Sequence, residues 1–274
     1  MRVFSYIMPL ICLAMLGLAH ADSEAPSLPS GEVVKFVTRD KASGSLVQEG
    51  EYHYDTTPQG GRLSFRQRGT FKWPSGNRGR EEVLMWQDGA KLTPRRYHIE
   101  VTNPAGATIR TVDMAFNGDA SSVHVKRTYS DPTGQDDFGV DDAVDKTVAL
   151  PPNTFARPMF DAVLRVLELP PGTRQKYQVV TRLGEVMPVI LVAEGIESMK
   201  ASFGVTDVQR IRLIPDIPIL PSVMPSLTIH LWYTREAPHL PVKFEGFGEP
   251  PPPYMQNEVS LVVTSIQRGV TLAP

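Results

Sequence analysis

Hydrophobic and polar residues alternate along most of this chain. Over residues 62–73, Leu63, Phe65, Phe71 and Trp73 share one parity, while Arg62, Ser64, Arg66, Arg68, Thr70 and Lys72 share the other. A period of two predicts a strand with one dry and one wet face. The pattern recurs at Tyr97, Ile99 and Val101, at Val123 and Val125, at Leu240, Val242 and Phe244, and at Val259, Leu261 and Val263. Clusters such as Pro74-Ser75-Gly76-Asn77, Asn103-Pro104-Ala105-Gly106 and Asn117-Gly118-Asp119 punctuate these runs at turn spacing. The pattern predicts a mainly β protein, an antiparallel meander forming a barrel or a strongly curved half-barrel.

One segment departs from period two. Over 157–169, Phe160, Val163, Leu164 and Leu167 fall at helical spacing, with Asp161, Arg165 and Glu168 off that stripe. Pro158 suits a first helical turn and Pro170-Pro171-Gly172 a stop. A single short helix is expected, plugging one end of the barrel or lying across the concave face. Between Ile214 and Ser226, Pro215, Pro218, Pro221 and Pro225 are interleaved with Ile217, Ile219, Leu220, Val223 and Met224. Proline at this density prevents ladder pairing, so an extended apolar loop is expected, covering a barrel mouth or gating a cavity beneath it. Pro250 to Pro253 predicts a second stiff turn.

The first 21 residues read as an export signal: Arg2, an apolar run from Ile7 to Leu18 too short to span a bilayer, and Ala19-His20-Ala21 before Asp22. Cleavage after Ala21 would leave one β-rich domain, 22–274, in the periplasm, with no cysteine, because Cys12 lies within the signal. Ile11 precedes Cys12, which disfavours a lipid-modified cysteine. The formal charge of −2 gives no electrostatic case for a nucleic-acid partner, and no second long apolar run predicts a membrane span.

From Leu150 onward the order of features resembles DUF3108, a family of exported bacterial proteins of unknown function. The resemblance rests on Leu150-Pro151-Pro152, the helix Met159 to Leu169, Pro171-Gly172, Glu194-Gly195, Leu231-Trp232-Tyr233 and Leu240-Pro241-Val242-Lys243-Phe244, and it is clearest over 150–267. Thr234-Arg235-Glu236 replaces the Ser-Asp type of turn expected there. The resemblance implies a curved antiparallel β fold in the cell envelope and no reaction or catalytic residue.

The motifs of nucleophilic, zinc-dependent and phosphate-binding sites do not occur, and no cofactor is implied. His53, His98, His124, His230 and His239 are scattered, a pattern of singly bonded histidines more than of a metal site. Asp131, Asp136, Asp137, Asp141, Asp142 and Asp145 could offer oxygens to calcium, but without EF-hand spacing they read as solvated turns. Arg62, Arg66, Arg68, Arg78, Arg80, Arg95 and Arg96 form either a basic face for an anionic partner or the ordinary wet face of a sheet. Trp86, beside a turn, and Trp232 are candidate ligand contacts. These readings favour a non-catalytic protein holding a hydrophobic or lipid-like ligand under the loop carrying Ile217 to Met224. The alternatives are a structural or interaction factor in envelope assembly and a hydrolase built from dispersed strand residues such as His230.

Overall fold

The structure, a computed structural model, describes residues 28–89, 91–130, 143–216, 228–236, 239–247 and 258–269. The export-signal segment, the loop with Ile217, Ile219, Leu220, Val223 and Met224, Pro250 to Pro253, and all the clustered aspartates except Asp145 lie outside these residues.

The first arm is a continuous meander. It runs through β1 (Glu32–Asp40), β2 (Leu46–Gln59), β3 (Arg62–Lys72), β4 (Arg78–Asp88), β5 (Lys91–Thr102), β6 (Thr108–Phe116), β7 (Ser122–Tyr129) and β8 (Val144–Ala149). The short β9 (Thr154–Ala156) then leads through a 3-10 turn, Arg157–Met159, into helix α1 (Phe160–Val166). The second arm comprises β10 (Arg174–Val180), β11 (Val186–Ala201), β12 (Gly204–Pro215), β13 (Ile229–Thr234), β14 (Pro241–Phe247) and β15 (Glu258–Arg268).

All fifteen strands belong to one sheet in the order β8-β7-β6-β5-β4-β3-β2-β1-β15-β14-β13-β12-β11-β10-β9. Every pairing is antiparallel except β9 with β10. The arms are joined by β1 and β15, from Glu32 opposite Arg268 to Asp40 opposite Val259. Among the described residues no ladder closes the sheet. Its curl instead brings side chains of the two ends together: a Cβ on Gly184, in the β10–β11 turn, would lie 2.5 Å from Lys146 Cε and 3.2 Å from Val148 Cγ2 on β8. β5 likewise touches β9 and the 3-10 turn across the concavity.

The expected parity of β3 holds: Phe65, Phe71 and Trp73 are buried. Along β14 it does not. A register shift opposite Trp232 and Tyr233 puts Val242 with Val208 and Trp232 in a small outer cluster, while Phe244 faces the concavity.

The helix is shorter than the apolar stripe suggests, ending at Val166, with Leu167 already extended at φ −87°, ψ 121°. Pro170 bars only Leu169 from the helical region, so the chain leaves the helix before proline requires it. Phe160, Val163 and Leu164 are buried as expected, and so are Ala162, Val166 and, against expectation, Arg165. The curved sheet encloses the helix on its polar side as well. Helix and sheet share one core, in which Leu164 and Met159 join Phe65, Met85, Met114 and Leu191. This core fills the end bearing the β2–β3 and β4–β5 turns.

Candidate functional site

Toward the other end the concavity is not filled. A cavity of about 580 Å³ extends from Gln67 and Tyr97, beside the helix, to the β1–β2 connection at Ser43 and Leu46, which are exposed. Gln67 on β3 and Trp73, just past its end, both border it, six residues apart, so at ~3.3 Å per residue it is roughly 20 Å long.

One wall is a plate of aromatic rings. Phe36 stacks on Tyr52 with centroids 5.2 Å apart, Tyr52 meets Phe71 edge-on at 5.5 Å, and Phe71 meets Trp73 at 6.2 Å. Such pairs are each worth about 0.5–1.5 kcal/mol beyond the area they bury. The rings lie against the sheet because three facing positions have no side chain. A Cβ on Gly50 would come within 2.9 Å of Phe36 and Phe71. On Gly69 it would come within 2.7 Å of Phe71 and 2.8 Å of Tyr52, and on Gly79 within 2.7 Å of Trp73. Glycine within a strand marks such a close approach. Val263, paired with Phe36, and Leu261 extend this wall across β15, and Leu213, Ile229, Leu231 and Phe244 complete the lining.

The inner end is polar. The Arg165 side chain has no solvent exposure; its Nη1 donates to Glu32 Oε1 at 2.6 Å and its Nε to Asp161 Oδ2 at 3.2 Å. Its guanidinium carbon lies 4.3 Å from the Tyr54 ring centre, and Tyr233 donates its hydroxyl to Asp161 Oδ1 at 2.7 Å. Burial works against the Arg165 charge, but Asp161 and Glu32 outweigh it and hold the guanidinium protonated. Burial, then the Asp161 charge, pushes the Tyr54 and Tyr233 phenols well above their ordinary value. A buried ion pair is tolerated only when its remaining polar atoms are bonded, and these tyrosines and the second carboxylate meet that condition for most of them. Beside this network, Tyr97 donates to Glu81 Oε2 at 3.4 Å, and Gln67, 2% exposed, has a buried Oε1 without a hydrogen-bond partner.

The sequence-predicted contacts lie elsewhere. Trp86 is held between Arg62 and Arg95, whose guanidinium carbons are 5.1 and 4.0 Å from its ring centre. Trp232 is buried on the face of β13 opposite Leu231 and Tyr233, its indole N–H donating to Glu197 Oε1. Neither borders the cavity. Leu213 and Ile229, on the strands that flank the proline-studded segment, do.

The histidines remain apart. His53 contacts Glu51, His98 contacts Asp113, His124 contacts Asp145 and His239 contacts the Thr234 carbonyl. His230 lies beside Trp232, off the cavity wall. Among the described residues no three histidine, aspartate or glutamate side chains converge on a point that could hold a metal. Several of the early-strand arginines are paired across strands: Arg66 with Glu82 at 3.3 Å, Arg68 with Asp55 at 3.2 Å and Arg96 with Asp113 at 2.7 Å. Sequence reading missed Gln67, Glu81 and Asp161 on the cavity and Gly69 beneath its plate. Gln67 and Gly69 share the parity of Phe65 and Phe71, and a glutamine and a glycine in a dry register were the available signal.

The model of the family DUF3108, described as a protein of unknown function, matches residues 52–249. The match thus reaches well upstream of Leu150. No curated protein matches. A β-barrel-like protein of the DUF1849 domain from Brucella abortus is similar in structure at 10% identity and TM-score 0.47, covering 88% of this chain and 99% of that one. An exported protein with a YmcC-like fold from Bacteroides fragilis aligns at 11% identity and TM-score 0.37, covering 89% and 100%. A protein assigned as a lipoprotein from Parabacteroides distasonis aligns at 10% identity and TM-score 0.37, covering 88% and 97%.

Proposed function

Because the chain belongs to the DUF3108 family, which brings no reaction with it, its role has to come from its own geometry, and we propose that it is an exported protein that binds an apolar, lipid-like molecule without transforming it. The observation that carries this reading is the cavity of about 580 Å³ walled by the Phe36–Tyr52–Phe71–Trp73 plate. Ligand pockets of about 300–1,000 Å³ are mostly apolar with a few converging polar groups, and this one has that composition. The glycines under the plate support the same reading: three positions without side chains let the rings lie close against the sheet. Export is supported by Arg2, the apolar run Ile7 to Leu18 and Ala19-His20-Ala21.

The test is native mass spectrometry of the protein purified gently from the periplasm, followed by extraction of any bound molecule. A discrete adduct in the lipid mass range is expected. A bare polypeptide mass, together with no shift in melting temperature on adding lipid, would sink the proposal.

A second reading, an interaction factor in envelope assembly, rests on the β11–β12 hairpin. There Ile196, Phe203 and Val205 are exposed, Val205 at 75%, a grouping that suits a protein contact. Crosslinking from Phe203 in cells would recover one reproducible partner if this reading holds.

A further inference from the structure

Resting on the carriage reading above, we propose that the ligand is a single-chain amphiphile with an uncharged, hydrogen-bonding head, a hydroxyl or an amide, which enters head first and docks on Gln67 beside Glu81 and Tyr97. The chain would then lie along the Phe36–Tyr52–Phe71–Trp73 plate toward the β1–β2 connection.

Three observations converge on the inner end. Gln67 is 2% exposed and its Oε1 is buried without a hydrogen-bond partner among the described residues, although the side chain borders the cavity. A buried carboxamide oxygen left unmet is unfavourable by itself, and a polar head that donates to it would make up the missing bond. A carboxamide both donates and accepts, so it suits a hydroxyl or an amide.

Next to it, Glu81 is 8% exposed, borders the same cavity and receives the Tyr97 hydroxyl. Arg165, at this end, is already engaged by Glu32 and Asp161, and the cations that border the cavity itself, Arg157 and Lys243, lie over the Phe244 and Trp232 rings. An ionised carboxylate head would bring no proton to the unmet Gln67 Oε1, whereas a neutral hydroxyl or amide head does. The cavity's length, roughly 20 Å from its Gln67 end to its Trp73 end, suits one extended chain.

The experiment titrates the full chain at pH 8 with 1-decanol and with decanoate, by calorimetry and by tryptophan fluorescence, since Trp73 borders the cavity. Decanol is expected to bind about tenfold more tightly than decanoate, and Gln67→Leu to weaken decanol by about fivefold while leaving decanoate unchanged. Circular dichroism of the variant confirms that it folds; if it does not, the decanol-to-decanoate ratio of the unmodified chain decides alone. Equal binding of the two probes, or decanol binding indifferent to Gln67→Leu in a folded variant, overturns the head-first assignment and leaves carriage standing. No binding of either probe overturns both.

Discussion

The guanidinium carbon of Arg165 lies 4.3 Å from the centre of the Tyr54 ring, with Glu32 and Asp161 bonded to its nitrogens. A helix residue is thus fixed to β1 and β2 at the base of the cavity, and through Asp161 and the Tyr233 hydroxyl to β13. The same group of side chains ties the two arms of the sheet to the helix.

Removing one member of that group should be more damaging than its hydrogen-bond count suggests. Arg165→Ala leaves Asp161, at 19% side-chain exposure, without its cation and Glu32, at 2%, with only Arg268, whose Nε is 3.6 Å away. A loss of about 3–5 kcal/mol is expected in urea unfolding. A midpoint within experimental error of the unmodified protein would show that the network contributes nothing to stability.

The glycines under the aromatic plate give a second expectation. Gly69→Ala puts a methyl where Phe71 and Tyr52 now lie, at 2.7 and 2.8 Å, so a ring has to swing into the cavity. The fold should lose about 1–3 kcal/mol and decanol binding should drop sharply. Gly118→Ala, where no atom lies within 4 Å of the added methyl, is the control. Retained decanol binding by folded Gly69→Ala would show that the flat plate is not what shapes the site.

Alkaline pH should destabilise the protein. Burial raises the Tyr52, Tyr54 and Tyr233 phenols well above their ordinary value, helped by Glu81 for the first and Asp161 for the other two. The folded state therefore prefers the neutral phenol more than the unfolded state does. This contribution is complete below the unfolded value of about 10 and is lost as pH rises toward the folded value. Thermal melts from pH 8 to 11 should be level at first and fall above about pH 10, and Tyr233→Phe should flatten the fall. An unchanged melting temperature at pH 11 would contradict the burial of these hydroxyls.

Trp73 and Trp86 should respond oppositely. Trp73→Ala removes part of the plate and is expected to weaken decanol binding roughly fivefold. Trp86→Ala removes an outer ring held between Arg62 and Arg95 and should lower stability by about 1–2 kcal/mol while leaving binding alone. Binding lost in Trp86→Ala would restore that residue as a contact.

Much of this was legible as pattern. The parity of Phe65, Phe71 and Trp73 predicts which face of β3 is dry, and the spacing of Phe160, Val163 and Leu164 predicts the helix face that packs on the sheet. What period cannot report is an environment that surrounds an element. Asp161 and Arg165 read as solvent-facing because they fall off the apolar stripe, yet the curled sheet places β1, β2 and β13 residues around them. Val242 was misread because alternation assumes a regular ladder, and the shift opposite Trp232 breaks it. The cavity itself is a property of three glycines and four rings meeting across strands, which no single segment displays.

The seam between β1 and β15 also sets an order of events. Lys41 and Glu258, 217 positions apart, meet where those strands pair, so the two arms stay unstitched until nearly the whole polypeptide has been made. Contacts this distant along the chain close slowly. A molecule threaded across a membrane from its N-terminus would present β1 with a bare edge throughout its passage, and a product truncated before Glu258 would keep that edge for good, with aggregation as the expected fate.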